Sequence, residues 1–222
     1  MSPSTERVLI DGPVGKLELA IDRPKDSSKD TPQGIAVIAH PHPLFGGSLD
    51  NKVVQTIARA FLSRNMVCLR PNFRGVGQSL GEHDHGRGEA QDLWAAWHWG
   101  EKTFASHAGP KRWAAGFSFG ASVTSHVVAQ WGSGHGTDSA PANPITSAVL
   151  VGLAVDRLPP AAIDRRTRLI HGALDDVVPL ASVLDFAEKY RQPVAVLPGA
   201  GHFFHGMLNE LRDMVIDAIA YG

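Results

Sequence analysis

One cysteine, Cys68, is all the thiol that this sequence of 222 residues holds. That excludes an intrachain disulfide framework and any metal site built from several thiolates. Cys68 lies inside the apolar run MVCLR, where a small core hydrophobe is the expected role. Excess charge is equally scarce: 21 Lys and Arg face 22 Asp and Glu, for a formal net charge of −1. Nothing in that balance draws the chain to nucleic acid or to an anionic membrane. No stretch of about eighteen residues is apolar and free of charge, so no transmembrane helix is expected. The first residues, MSPSTERVLIDGPVG, lack a basic segment followed by an apolar one, and a cytoplasmic location is the expectation. Internal repeats are missing too. Gly (23) and Pro (15) are plentiful, which promises many turns. A chain of this length fits one domain, expected to span residues 1–222.

The hydrophobic pattern changes after residue 33. Before it, residues 7–10 and 15–21 read as two short strands around a turn at Asp11-Gly12-Pro13, an antiparallel hairpin. Residues 22–33, DRPKDSSKDTPQ, read as a polar surface loop. From Gly34 on, short apolar runs alternate with longer periodic segments. Strands are expected at IAVIAH and at residues 66–69, 112–116, 145–151, 168–171 and 194–197. Helices are expected at residues 51–64, 89–103, 121–131, 180–189 and 203–220. Continuous hydrophobicity suits strands covered on both faces, and the alternation implies parallel pairing through crossover helices. The expected fold is α/β: a mostly parallel central sheet of about eight strands, helices on both faces, the early hairpin at one edge. Residues 132–144 and 152–166 read as irregular connectors, too short for a cap domain. The mouth of any site at the carboxyl edge is therefore expected to be open.

Gly116-Phe117-Ser118-Phe119-Gly120 fits G-x-S-x-G between a predicted strand and a predicted helix. In that context the motif is a sharp turn that lifts a serine hydroxyl above the sheet edge, beside a helix N-terminus that favours developing negative charge. A serine needs a base and a group to orient that base. Both follow at strand ends in the expected order. His171-Gly172-Ala173-Leu174-Asp175-Asp176 offers the acid, and Pro198-Gly199-Ala200-Gly201-His202 the base. Asp175 is the favoured acid, with Asp176 as a solvated neighbour or helix cap. His171 is expected to pack beneath the acid loop. An oxyanion site needs two backbone donors. One is the N–H of Phe119. The other is expected from HPHPLFGGS, where the prolines cannot donate and Leu44 is the first candidate beyond them, Phe45 the next. His42 is expected to brace this loop. The segment Glu82-His83-Asp84-His85 reads as a solvated loop rather than a metal site, and Arg74 as a brace of the carboxyl edge.

With these residues in view, the sequence resembles the alpha/beta-hydrolase superfamily. It is most similar to its small, cap-less bacterial members near the dienelactone-hydrolase and acyl-peptidase-like branches. The resemblance runs through AHPHPLFGGSLDNKVV, LRPNFRGVGQS, AAGFSFGA, LIHGALDDVVP and GAGHFFHG. It implies Ser118 as nucleophile, Asp175 as acid, His202 as base and Leu44 as an oxyanion donor. Dienelactone hydrolases use a cysteine nucleophile; Ser118 stands there here, which argues against dienelactone ring-opening.

The expected function is hydrolysis of small short-acyl esters, with amide or peptide cleavage by the same groups as the alternative. A non-catalytic binding protein on the same fold is a more distant reading. The scheme requires no cofactor and no metal. The expected partner is a small-molecule ester or amide, not nucleic acid or membrane, and the expected state is a monomer or weak homodimer.

Overall fold

The two-residue period of a pleated strand decides which face each apolar side chain takes. In the computed structural model, which describes residues 5–24, 31–104, 108–132 and 145–220, strand β3 (Gly34–Ala39) is buried along its whole length. Its Ala36 and Ile38 join one apolar cluster, and its Ile35, Val37 and Ala39 join another on the opposite face. A strand sandwiched in this way reads as a continuous hydrophobic run.

Among the described residues eight strands form one sheet in the order β1-β2-β4-β3-β5-β6-β7-β8. The hairpin of β1 (Thr5–Gly12) and β2 (Gly15–Asp22) pairs antiparallel and adds to β4 (Met66–Pro71), also antiparallel. From β4 onward every pairing is parallel, through β3, β5 (Lys111–Phe117), β6 (Ser147–Val151), β7 (Thr167–Gly172) and β8 (Val194–Leu197). The register sets Ala39 beside Gly116, and Phe117 beside Val151. The carboxyl ends of these strands, and the loops that leave them, therefore gather at one edge.

Helices α1 (Lys52–Ser63) and α5 (Leu208–Ala220) cover one face, burying Ile57, Phe61, Leu211 and Val215 against Trp113 and Phe117. Helices α2 (Arg87–Phe104) and α3 (Phe119–Gly132) contribute Leu93, Trp97 and Val123 to the other face, over Leu69 and Phe73. Helix α4 (Leu180–Lys189) packs Ala187 near β7. Cys68 is a fully buried core thiol. Two helix starts are built from side chains. Asn51 Oδ1 accepts the N–H groups of Val53 and Val54 at 2.9 and 3.4 Å, and Glu89 reaches back to the N–H of Gly86 at 2.7 Å, both satisfying donors that the first turn leaves unpaired.

The closing helix begins at Leu208, not at residue 203 as the apolar spacing suggests. Phe204 (φ 51°) and Gly206 (φ 75°) adopt left-handed backbone, which a right-handed helix cannot contain. Phe204 is fully buried, so its anchorage outweighs the helical pattern. Residues 152–166 hold no helix or strand, in keeping with an uncapped sheet edge. Of the connector expected at 132–144, Gly132 ends α3 and the remainder lies outside the described residues. So do residues 25–30 of the loop expected at 22–33. No helix among the described residues is long and apolar enough to cross a membrane.

Candidate active site

Ser118 follows β5 directly and has φ 56°, a left-handed conformation that a serine adopts only when its surroundings impose it. Its N–H donates to Val151 O at 2.9 Å, and α3 starts at the next residue. The flanking glycines are steric necessities. A Cβ on Gly116 would lie 2.3 Å from Gly120 O, and one on Gly120 would lie 2.4 Å from His40 O. The turn closes only because neither has one.

Ser118 Oγ lies 3.0 Å from His202 Nε2, and His202 Nδ1 lies 2.7 Å from Asp175 Oδ2. All three residues are buried. Because the Asp175 oxygen accepts from Nδ1, Nε2 is left as the acceptor facing the serine. Asp175 Oδ1 accepts the N–H groups of Val177 and Val178 at 3.0 and 2.7 Å. Burial pushes the Asp175 carboxyl up, but the hydrogen bonds from His202 and Val178 outweigh it and hold the group below its ordinary value. Asp176 is exposed, so of the two adjacent carboxylates it is Asp175 that meets the imidazole.

The loop carrying His202 is tied to the acid loop by Ala173 N–H to Leu197 O (2.9 Å) and Leu174 N–H to Ala200 O (2.8 Å). Phe117 and Phe203 flank the His202 ring, with centroids 4.9 and 5.0 Å away. His171 packs beneath the acid loop, as its position suggests. Burial lowers its basicity, and Nε2 contacts Val178 O at 2.9 Å and Asp175 Oδ2 at 3.3 Å. A neutral ring that donates from Nε2 props the loop from below.

The segment after β3 differs from expectation in its details. Residues Pro43–Phe45 form a 3-10 turn that consumes the donors beyond the prolines. Leu44 N–H donates to His42 Nδ1 at 3.3 Å, Phe45 N–H to His42 O at 3.1 Å and Gly47 N–H to His42 O at 3.1 Å. The Leu44 side chain is 69% exposed and does not line the cavity over Ser118. Among the described residues the backbone N–H groups of His42 and Phe119 have no hydrogen-bond partner. Both residues line that cavity of about 270 Å³, together with Ser118, His202, Phe45 and Phe203, and their rings are 4.7 Å apart.

Two further residues acquire roles that their sequence context hides. His40 is fully buried at the end of β3: Nδ1 donates to Pro41 O at 2.6 Å and Nε2 accepts Phe73 N–H at 2.9 Å. Burial pushes its pKa down to about 4, so it clamps two site loops as a neutral ring. A histidine that ends an apolar run just before a Pro-rich loop was the available signal. His83 is not solvated, contrary to the reading of its loop. Its side chain is 7% exposed, Nδ1 lies 2.7 Å from Glu89 Oε1, and its ring packs on His42 (4.7 Å) and Phe119 (5.5 Å). The partner that draws it in, Glu89, lies on α2 and is fully buried. Among the described residues no group of three or more His, Cys, Asp or Glu is arranged to hold a metal ion.

No protein-family model matches the chain. An uncharacterized protein of Rickettsia prowazekii is 30% identical over 214 residues, covering 95% of this chain and 87% of that protein. The solved structure of an alpha-beta serine hydrolase homologue from Coxiella burnetii is 36% identical, with 98% of each chain covered and a TM-score of 0.82. A serine hydrolase without a lid from Xanthomonas campestris is 30% identical, with 100% of this chain and 96% of that one covered and a TM-score of 0.80. Sequence identity at this level along the whole chain, a cap-free sheet edge and a serine within reach of a histidine and an aspartate agree with one another: the chain belongs to the alpha/beta serine hydrolases, in the form that lacks a lid.

Proposed function

We propose that the protein is a carboxylesterase acting on small short-acyl esters. The carrying observation is the chain of contacts from Ser118 Oγ to His202 (3.0 Å) to Asp175 (2.7 Å) at the base of an open cavity. Ser118 attacks the ester carbonyl while His202 Nε2 takes its proton. Asp175 holds the Nδ1–H tautomer and stabilises the imidazolium that forms. The tetrahedral oxyanion accepts from Phe119 N–H and, in place of Leu44, from His42 N–H; among the described residues both donors are unspent, and both residues line the cavity. The imidazolium then protonates the departing alkoxide. Water, deprotonated by His202, attacks the acyl-enzyme and releases the acid. No step calls on a cofactor.

The size and openness of the cavity support short acyl groups, for which Phe45, Phe203 and Val177 offer an apolar wall. The protein is read as a single domain over residues 1–222, cytoplasmic, and monomeric or weakly dimeric. The test is steady-state hydrolysis of p-nitrophenyl acetate and butyrate beside the matching p-nitroanilides. The expected result is ester turnover that the S118A variant abolishes, with anilides cleaved far more slowly. Comparable or faster anilide cleavage would move the assignment to amidase.

A further inference from the structure

Among the described residues that line the cavity over Ser118 none is acidic, and Arg157 is the one guanidinium or ammonium. Arg157 is exposed, on the connection between β6 and β7. Its guanidinium carbon sits 5.1 Å from the centre of the Phe45 ring, and Phe45 is itself 71% exposed. Among the described residues Arg157 makes no ion pair and no hydrogen bond; its neighbour Asp156 is exposed and makes none with it. A guanidinium resting on an aromatic ring has its position restricted, while its in-plane N–H fork stays unspent. His42 adds no competing charge at neutral pH. Burial above all, then His83 and Arg157 itself, holds its imidazole below the ordinary value.

A cation with free donors, stationed on an apolar ring at the rim of a nucleophile's cavity, is complementary to a carboxylate joined to a short apolar or aromatic segment. We propose that Arg157 is a specificity-determining residue that selects esters bearing a free carboxylate, the acid group meeting the guanidinium while the scissile carbonyl meets Ser118. This rests on the hydrolase reading above and narrows its substrate class.

Two ester pairs test it and tell the acyl side from the alcohol side. Mono-4-nitrophenyl adipate is compared with 4-nitrophenyl hexanoate, and 4-carboxyphenyl butyrate with 4-acetylphenyl butyrate, each corrected for its uncatalysed rate. The wild-type chain at low ionic strength is expected to favour the carboxylate member of at least one pair by roughly two- to fivefold in kcat/KM, mainly through KM, as for a charge-assisted bond at an exposed site. Salt at 0.5 M should erode the preference. In R157Q the ratio should fall to about one, in R157E below one, and in R157K it should recover in part. A ratio at or below one in both pairs for the wild type, or an unchanged ratio in R157Q, overturns the proposal while leaving the hydrolase reading intact. Calorimetric binding of the same esters to S118A protein reads the preference without chemistry. Absence of turnover would therefore count against the hydrolase assignment, and equal affinities against Arg157.

Discussion

Asp175 and Asp176 differ by one position and by everything that matters to a carboxylate. Asp175 is buried, accepts two backbone N–H groups and touches His202; Asp176 points to water. Replacing Asp175 by Asn keeps the shape but removes the charge that orients the imidazole, so kcat/KM on a short ester should fall by roughly 10³–10⁴, the scale of the serine-protease acid. Asp176→Asn should cost less than about tenfold. Rates of the two variants on one ester check both figures; a reversed order would reassign the acid. These residues were legible in the sequence because each lies just past an apolar run, where a parallel sheet exposes functional groups. The proposed oxyanion donor was less so. Leu44 is the first N–H beyond the prolines, but the 3-10 turn turns that N–H onto the His42 ring, a matter of backbone angles that composition does not report.

At the scale of elements, the loop after β4 depends on one buried ion pair. Arg74 Nη2 lies 2.9 Å from Asp92 Oδ1 on α2, and Arg74 N–H donates to Asp92 Oδ2 at 2.9 Å. Burial lifts the Asp92 carboxyl above its ordinary value and Arg74 draws it part of the way back. Gly88 is the clearance for this arrangement: a Cβ there would lie 2.0 Å from Arg74 Nη1. Removing one partner strands the other in a dry site, so Arg74→Ala should destabilise the fold by about 3–5 kcal/mol. Urea unfolding measures this; an unchanged midpoint would mean that the pair contributes nothing. The bracing role was readable from a lone arginine in a Gly-rich loop beside the nucleophile turn. Its partner was not, because Asp92 sits in a helix whose sequence looks like an ordinary amphipathic surface. The late start of α5 escaped for a related reason: the pattern at residues 203–207 is apolar, but left-handed backbone at Phe204 and Gly206 breaks the helix.

The whole molecule should respond to acid through groups that the fold keeps in one protonation state. His40 has a pKa of about 4 in the native protein against about 6.5 in an unfolded chain. Below pH 6.5 the unfolded state binds the extra proton, so stability present at neutral pH is lost as pH falls from about 6.5 to 4, by about 3 kcal/mol for this residue. His171, likewise lowered by burial, acts in the same direction over the same range, whereas Asp175, held down by its hydrogen bonds, adds its loss only in stronger acid, below the ordinary carboxylate value. Denaturant midpoints at pH 7.5 and 4.5 should differ accordingly, and His40→Gln, less stable at neutral pH, should show a flatter dependence. An equal slope in the variant would remove His40 from the account. The overall architecture was the most legible level of all. Strand–helix alternation dictates parallel crossovers, and the alternating early strands dictate the antiparallel edge.

Ser118 as a nucleophile activated by His202 can be read out covalently. Labelling the folded protein with a fluorophosphonate and mapping the adduct by mass spectrometry should give one modified residue per chain, Ser118, with the label lost in S118A and slowed by at least about a hundredfold in H202Q. Label on another residue, or none on a folded wild-type chain, would contradict it.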